Sequence, residues 1–171
     1  MRTIISTIFL GIAMLACQEN ESETNDLTGN EVVYALSPGS VYTTPGTVTF
    51  KERKDGTTLI VLNLQGTEGN AKHPVHLHLG NISAPDADIT ALLNPITGKT
   101  GKTGKSETLL TQLADETSIT YEQLIKLNAC IKVHLAEAGP DKDIILAGGN
   151  IGKAALDASS GRSTMAVCKS E

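Results

Sequence analysis

The sequence predicts an all-β domain, a Greek-key β-sandwich or barrel with one short helix. Three observations predict it: many short apolar or alternating runs, Gly- and Pro-containing turns between them, and a single segment with helix-capping chemistry. At 171 residues the chain suits one domain with short terminal segments, since domains commonly run to about 100–200 residues. Hydrophobic residues make up 40% and charged residues 19%, a balance that buries a core rather than leaving the chain disordered. A formal charge of −5 argues against a nucleic-acid binder. Two Phe, three Tyr and no Trp supply neither a base-stacking platform nor the aromatic belts of a membrane barrel.

The N-terminus reads as an address. Met1-Arg2-Thr3 places one positive charge before a mostly apolar run from Ile4 to Leu15, too short to span a bilayer and suited to a signal-peptide core. The run closes on Leu15-Ala16-Cys17 and resembles a bacterial lipobox, with Met14 where Leu is commonest and Leu15 where a small residue is usual. That resemblance implies removal of residues 1–16, lipidation of Cys17 as a membrane anchor, and a place in the cell envelope. The outer membrane is expected, on its periplasmic or its external side. Maturation removes Arg2 and no acid, taking the charge from −5 to −6. Residues 17–30, including the polar stretch QENESETNDLTG, have the composition of a flexible tether, and the domain is expected over 31–171.

Within the domain, Thr47-Val-Thr-Phe50 alternates, Asp55-Gly56 is a two-residue turn signal, and Leu59 to Leu64 resumes the apolar run, which together predict a hairpin. Further strands are expected at 32–36, 75–82, 107–113, 130–136, 144–151 and 164–168. Thr120 and Gln123 have capping-box spacing ahead of Leu124 and Leu127 and predict the one helix. The repeat at 98–106, Gly-Lys-Thr-Gly-Lys-Thr-Gly-Lys-Ser, is expected as a solvated basic loop. It is not a phosphate-binding loop, because Lys99 stands where that motif needs Gly five residues before Gly104. Lys99, Lys102 and Lys105 have a weaker reading as an attractor of anions. With Cys17 lipidated, Cys130 and Cys168 remain, and in an oxidising compartment one disulfide is the economical arrangement, two buried thiols being the alternative.

All four histidines fall in two segments, His73-Pro-Val-His76-Leu-His78 and Lys132-Val-His134. Strand parity puts His76 and His78 on one face and Val75, Leu77 and Leu79 on the other. The second segment repeats this, with Lys132, His134 and Ala136 opposite Ile131, Val133 and Leu135. If the two strands are neighbours, three imidazoles converge on an outer surface, with His73 as candidate fourth ligand. His-x-His plus a distant His is the geometry of a nitrogen-rich metal site for copper or, second, zinc. Asp86 and Asp88 are close enough in sequence to contribute. The competing reading is a set of simple surface histidines.

The stretches GTVTFKERKDGTTLIVLNLQGTEGNAKHPVHLHLGN, LLNPITGKTGKTGKSET and ITYEQLIKLNACIKVHLAEAGPDKDIILAGGNIG resemble the CHRD domain of secreted proteins and lipoproteins, over about residues 32–152. The shared pattern is HPxHxHxG, a late Val-His strand and a closing G-x-I-G; Cys130 and the tail after Gly152 are additions to it. The resemblance implies an all-β extracellular domain without an assigned catalytic activity. A second likeness is to copper/zinc superoxide dismutase, in which His76 and His78 match a pair of copper ligands and His134 the late one. No His stands between residues 79 and 133 to match the metal-bridging and zinc-binding residues, and Arg162, six residues before Cys168, is a poor match to the anion-guiding arginine.

The expected function is therefore copper binding, sequestration or delivery by a lipid-anchored envelope domain, with His73, His76, His78 and His134 as the metal residues and none assigned as catalytic. Two alternatives stand beside it. One is a metal-free binding or scaffold module for a polysaccharide or an envelope protein; the other is a superoxide dismutase-like redox enzyme. No nucleophile elbow is present to support a hydrolase.

Overall fold

The computed structural model describes residues 26–39, 42–67, 69–84, 87–98 and 102–157. Among them run β1 (Leu27–Pro38), β2 (Gly46–Arg53), β3 (Thr58–Thr67), β4 (Lys72–Leu79), β5 (Ile89–Thr97), β6 (Lys102–Leu110), α1 (Tyr121–Leu124), β7 (Asn128–His134), β8 (Ile145–Ile151) and α2 (Gly152–Asp157). The eight strands follow the order β5-β4-β7-β8-β1-β2-β3-β6, every pairing antiparallel. The two end strands, β5 and β6, also meet: Asn94 N donates to Thr108 Oγ1 at 2.8 Å and Asn94 Nδ2 to the Glu107 carbonyl at 2.6 Å. The sheet therefore nearly closes into a barrel, and β4 to β7 lie in the order β7-β4-β5-β6, the Greek-key arrangement.

The closed interior is lined by alternate residues of the strands. Val48 and Phe50 of β2, Ile60, Leu62 and Leu64 of β3, Val75 and Leu77 of β4, and Ile131 and Val133 of β7 are all buried in one cluster. Period-two alternation is what makes one face of each strand apolar. The hairpin turn behaves as its sequence predicts. Gly56 takes φ +82° without a side-chain penalty, and the Asp55 carboxylate accepts from Thr57 N at 2.9 Å and Thr57 Oγ1 at 2.6 Å. The capping box is also present: Gln123 N donates to Thr120 Oγ1 at 3.3 Å, and Thr120 N to Gln123 Oε1 at 2.9 Å.

Within the predicted all-β class, four features go beyond the sequence pattern. First, β5 is a strand that pattern alone does not predict, because Asn94 and Pro95 read as turn residues. At the end of the strand order, a bulge opposite β4 between the pairs Val75↔Leu93 and His73↔Ile96 accommodates them. Second, Lys102 to Ser106 of the expected basic loop belong to β6, with Gly104 turned inward so closely that a Cβ there would lie 2.6 Å from Ile96 Cγ2. Third, β1 begins at Leu27, so the last residues of the expected tether pair with β2, Leu27 opposite Arg53. Fourth, a second short helix, α2, follows β8. The expected signal peptide with Cys17, the 164–168 strand, Arg162 and Cys168 lie outside the described residues, whereas Cys130 is buried in β7.

The two halves of the barrel meet where Ser37 and Pro38 of β1 pair with Gly148 and Ala147 of β8. Just beyond this junction, a Cβ on Gly149 would run into the backbone carbonyl of Ala35. That neighbour is main chain and cannot swing aside. Gly149→Ala is expected to destabilise the fold by about 1–3 kcal/mol, the usual cost of overpacking. The check is the midpoint of denaturant unfolding, which an innocuous substitution would leave in place.

Candidate metal centre

β4 and β7 are hydrogen-bonded neighbours in a register that pairs Val75 with Val133, His76 with Lys132, Leu77 with Ile131 and His78 with Cys130. The inward face of this pair is the apolar set of the core. Its outward face carries His76 and His78 from one strand and Lys132 and His134 from the other. The rings of His76 and His134 stand 4.6 Å apart between centroids, His76 and His78 5.8 Å, and His78 and His134 6.4 Å. One nitrogen of each ring lies within 4.8 Å of one from each of the others.

The rings face away from the barrel core, as parity predicts, but they do not form an exposed surface. His78 and His134 are only 1% and 5% exposed, and His76 is half-buried. Two connections cover them. The β4–β5 connection is fixed at its start by Gly80 N to the Asn128 carbonyl at 2.8 Å and by Ile82 N to Asn150 Oδ1 at 2.7 Å. The β7–β8 connection is closed by Leu135 N to the Ile144 carbonyl at 2.9 Å. Parity along a strand specifies the face and is silent about what later folds over it.

Each covering connection also orients a ring. The Ala87 carbonyl accepts from His78 Nδ1 at 2.8 Å, and the Lys142 carbonyl accepts from His134 Nδ1 at 2.8 Å. A carbonyl only accepts, so both Nδ1 atoms carry the proton and both lone pairs sit on Nε2. His78 Nε2, His134 Nε2 and His76 Nδ1 are buried without a hydrogen-bond partner, as is His73 Nε2. Buried polar atoms are ordinarily satisfied, and three converging rings that each bury an unpartnered nitrogen could hold a shared ligand. A backbone acceptor behind a ligating imidazole is the usual support of a metal site. Ligand nitrogens about 2.0–2.1 Å from one ion in tetrahedral geometry stand about 3.4 Å apart, so an ion would draw together any of these that stand farther apart than that.

His73 does not join the three. It has the parity of Val75, is buried, and donates from Nδ1 to the Leu135 carbonyl at 3.0 Å, bracing the residue after His134. Asp88 stays outside the convergent group as well, and Asp86 lies outside the described residues. The residue that sequence reasoning passed over is Lys132. Its parity with His134 was legible, but it is completely buried, with Nζ donating to the Ala84 carbonyl at 3.3 Å. A lysine on the polar side of a strand reads as solvated, and no sequence signal marks this one as covered.

The cluster holds its imidazoles neutral. Burial, followed by the proximity of His134 and His78, pushes His76 from 6.5 down to about 4. Burial likewise pushes His78 down to about 4, opposed by the Ala87 carbonyl and reinforced by Lys132 and His134, with Asp88 opposing. Burial lowers His134 too, opposed by the Lys142 carbonyl and reinforced by Lys132. Neutral imidazoles are the form that binds a metal, so the three donors are ready at neutral pH.

These shifts set a direction for stability. An unfolded chain protonates its histidines near pH 6.5, whereas the folded metal-free chain resists protonation of His76 and His78 until about pH 4. Their contribution to stability is fully present above about pH 6.5 and is lost as the pH falls toward 4. The Asp55 and Asp115 carboxyls, lowered by hydrogen bonds from Thr57 and Thr117, titrate below 3.8 and outside that window. The melting temperature of the metal-free chain is therefore expected to fall between pH 6.5 and 4.5, and a His76→Gln/His78→Gln variant to fall less. Equal slopes in the two proteins would show that the rings are solvated.

No protein-family model and no curated protein matches this chain.

Proposed function

We propose that this chain is a lipid-anchored cell-envelope domain that binds one transition-metal ion through His76, His78 and His134, copper ahead of zinc, for sequestration or delivery. The observation that carries the metal reading is the pair of Nδ1–H groups turned onto the Ala87 and Lys142 carbonyls, which leaves Nε2 as the unprotonated nitrogen of two rings clustered with His76. Three neutral nitrogen donors suit copper and zinc, and the usual order of divalent affinities favours copper. The lipobox-like Leu15-Ala16-Cys17 supports the anchor, and the likeness to CHRD domains supports an envelope location.

A second reading, a superoxide dismutase-like redox enzyme, is favoured by one feature. His76 is half-buried, so the cluster is covered less completely on its side, and an ion held there could keep a position open to a small molecule. The neutral imidazoles would hold the ion, and the two backbone carbonyls would keep the rings from turning. Superoxide turnover by the copper-loaded chain is the discriminating assay, and a loaded chain without turnover leaves binding and delivery.

Titration of the full chain with copper or zinc is expected to show about one equivalent bound. At free metal one hundredfold above Kd the fold should gain about 2.7 kcal/mol, read as a raised melting temperature. His76→Ala/His134→Ala is expected to abolish both effects. Unchanged affinity in that double variant would overturn the assignment.

A further inference from the structure

The β4–β7 ladder stops one step short of the third ring of the cluster. Its pairs run from Leu79 with Ala129 to Val75 with Val133. Carried on in the same register, Pro74 would face His134 and His73 would face Leu135. Pro74 has no N–H to offer at that step. On its other side β7 meets β8 through a bulge between Val133 and His134. His76 and His78 are therefore carried by regular pairs, whereas His134 sits where one ladder of its strand has ended and the other is irregular.

What crosses from β4 to β7 at this point is a side chain. His73 is 4% exposed, and its Nδ1 donates to the Leu135 carbonyl at 3.0 Å. Its own backbone is fixed from the far side, by pairing with the fully buried Ile96 of β5. Leu135 is held at both of its main-chain polar groups, since its N–H donates to the Ile144 carbonyl at 2.9 Å. That second bond closes the connection whose Lys142 carbonyl orients His134. A valine at position 73 would continue the alternation of Val75 and Leu77, and burying an imidazole instead costs free energy.

We infer that His73 is the positioning residue of the third ligand: its bond to the Leu135 carbonyl stands in for the missing ladder step and holds the His134 ring beside that of His76. The inference deepens the metal-binding reading, and its affinity arm rests on that reading. His73 needs no contact with an ion for this role. It acts from the inner face of the ribbon on a ring carried by the outer one. The lever is short, because Leu135 follows His134 directly. Freedom at the Leu135 peptide becomes freedom of the His134 backbone and of its ring against the Lys142 carbonyl. A ligand that wanders must be ordered when the ion binds, and that ordering is subtracted from the affinity. His76 and His78, inside the regular ladder, do not share the dependence.

The test uses the full chain and three substitutions. His73→Asn places an amide N–H where Nδ1 stands and keeps the bond to Leu135; His73→Gln places its amide at the Nε2 position, and His73→Leu removes the donor. In the metal-free chain the ring Nδ1 protons of His78 and His134 are followed by NMR as they exchange with water. His73→Leu and His73→Gln are expected to exchange the His134 proton about three- to tenfold faster, the range set by one hydrogen bond. The His78 proton is expected to keep its wild-type rate, and His73→Asn to stay near wild type at both rings. Copper and zinc affinities should follow the same order, weakened by the same factor in His73→Leu and His73→Gln. A purely structural brace would lower the melting temperature and leave the His134 proton and the affinities at wild-type values, and that result overturns the inference. Equal acceleration at His78 and His134 overturns it too, since it reports general loosening. If His73→Leu does not fold, the Asn and Gln substitutions still differ in where the amide lies, and identical behaviour of the two overturns the inference. If wild type binds neither metal, the metal-binding reading fails, while proton exchange still decides whether His73 positions His134.

Discussion

The structure depends on the register between β4 and β7. Pairing Val75 with Val133 and His76 with Lys132 gives one ribbon two opposed faces, an apolar one for the barrel core and a nitrogen-rich one for the cluster. A slip of one residue would exchange the faces, placing His76 and His78 in the core and Val75 and Leu77 outside. Core packing therefore specifies the site: Leu77 and Ile131, both fully buried, hold the register that brings His134 next to His76. Burial of the apolar side chains supplies the free energy, and alignment of the ligands follows from it without a contribution of their own.

Covering the outer face changes the chemistry of the same residues. On an open sheet surface His78 and His134 would titrate near their ordinary values and rotate freely. Under the two connections they lose water, keep a single tautomer and present fixed lone pairs. The cover is itself fastened to the barrel, through Asn150 to Ile82 and through Lys132 to Ala84. A segment that buries polar atoms ordinarily satisfies them, and here it satisfies one nitrogen of each covered ring and leaves the other. What sets His76, His78 and His134 apart is that they converge, because His73 too is bonded at Nδ1 and unpartnered at Nε2. His73 shows the contrast in position: the same residue type, three places earlier, braces the Leu135 carbonyl and stands apart from the group.

Much of this was legible along the chain where a local rule governs. The β2–β3 hairpin, the Asp55-Gly56 turn and the Thr120/Gln123 capping box follow from neighbours within a few residues. So does the parity of His76, His78 and His134. The elements that escaped are those whose local composition conflicts with their place in the sheet. β5 carries Asn94 and Pro95 and is accommodated by its position at the end of the strand order, and the first half of β6 reads as a Gly-Lys loop until Gly104 meets Ile96. Neither location can be computed from a window of sequence.

By itself, the sequence determined the all-β class and, from parity, the strand face on which His76, His78 and His134 lie. Alternation is a property of the strand backbone, and it holds wherever the strand is placed. Tertiary structure alone decided that β4 lies beside β7, that two connections close over their outer face, that His73 is held apart, and that Lys132 is sealed in with the cluster. Those outcomes depend on contacts between residues some fifty or more positions apart, such as Lys132 with Ala84 and His73 with Leu135, separated by 48 and 62 places. Packing of the whole barrel selects such contacts, because the free energy that fixes them comes from the core and not from the residues they join.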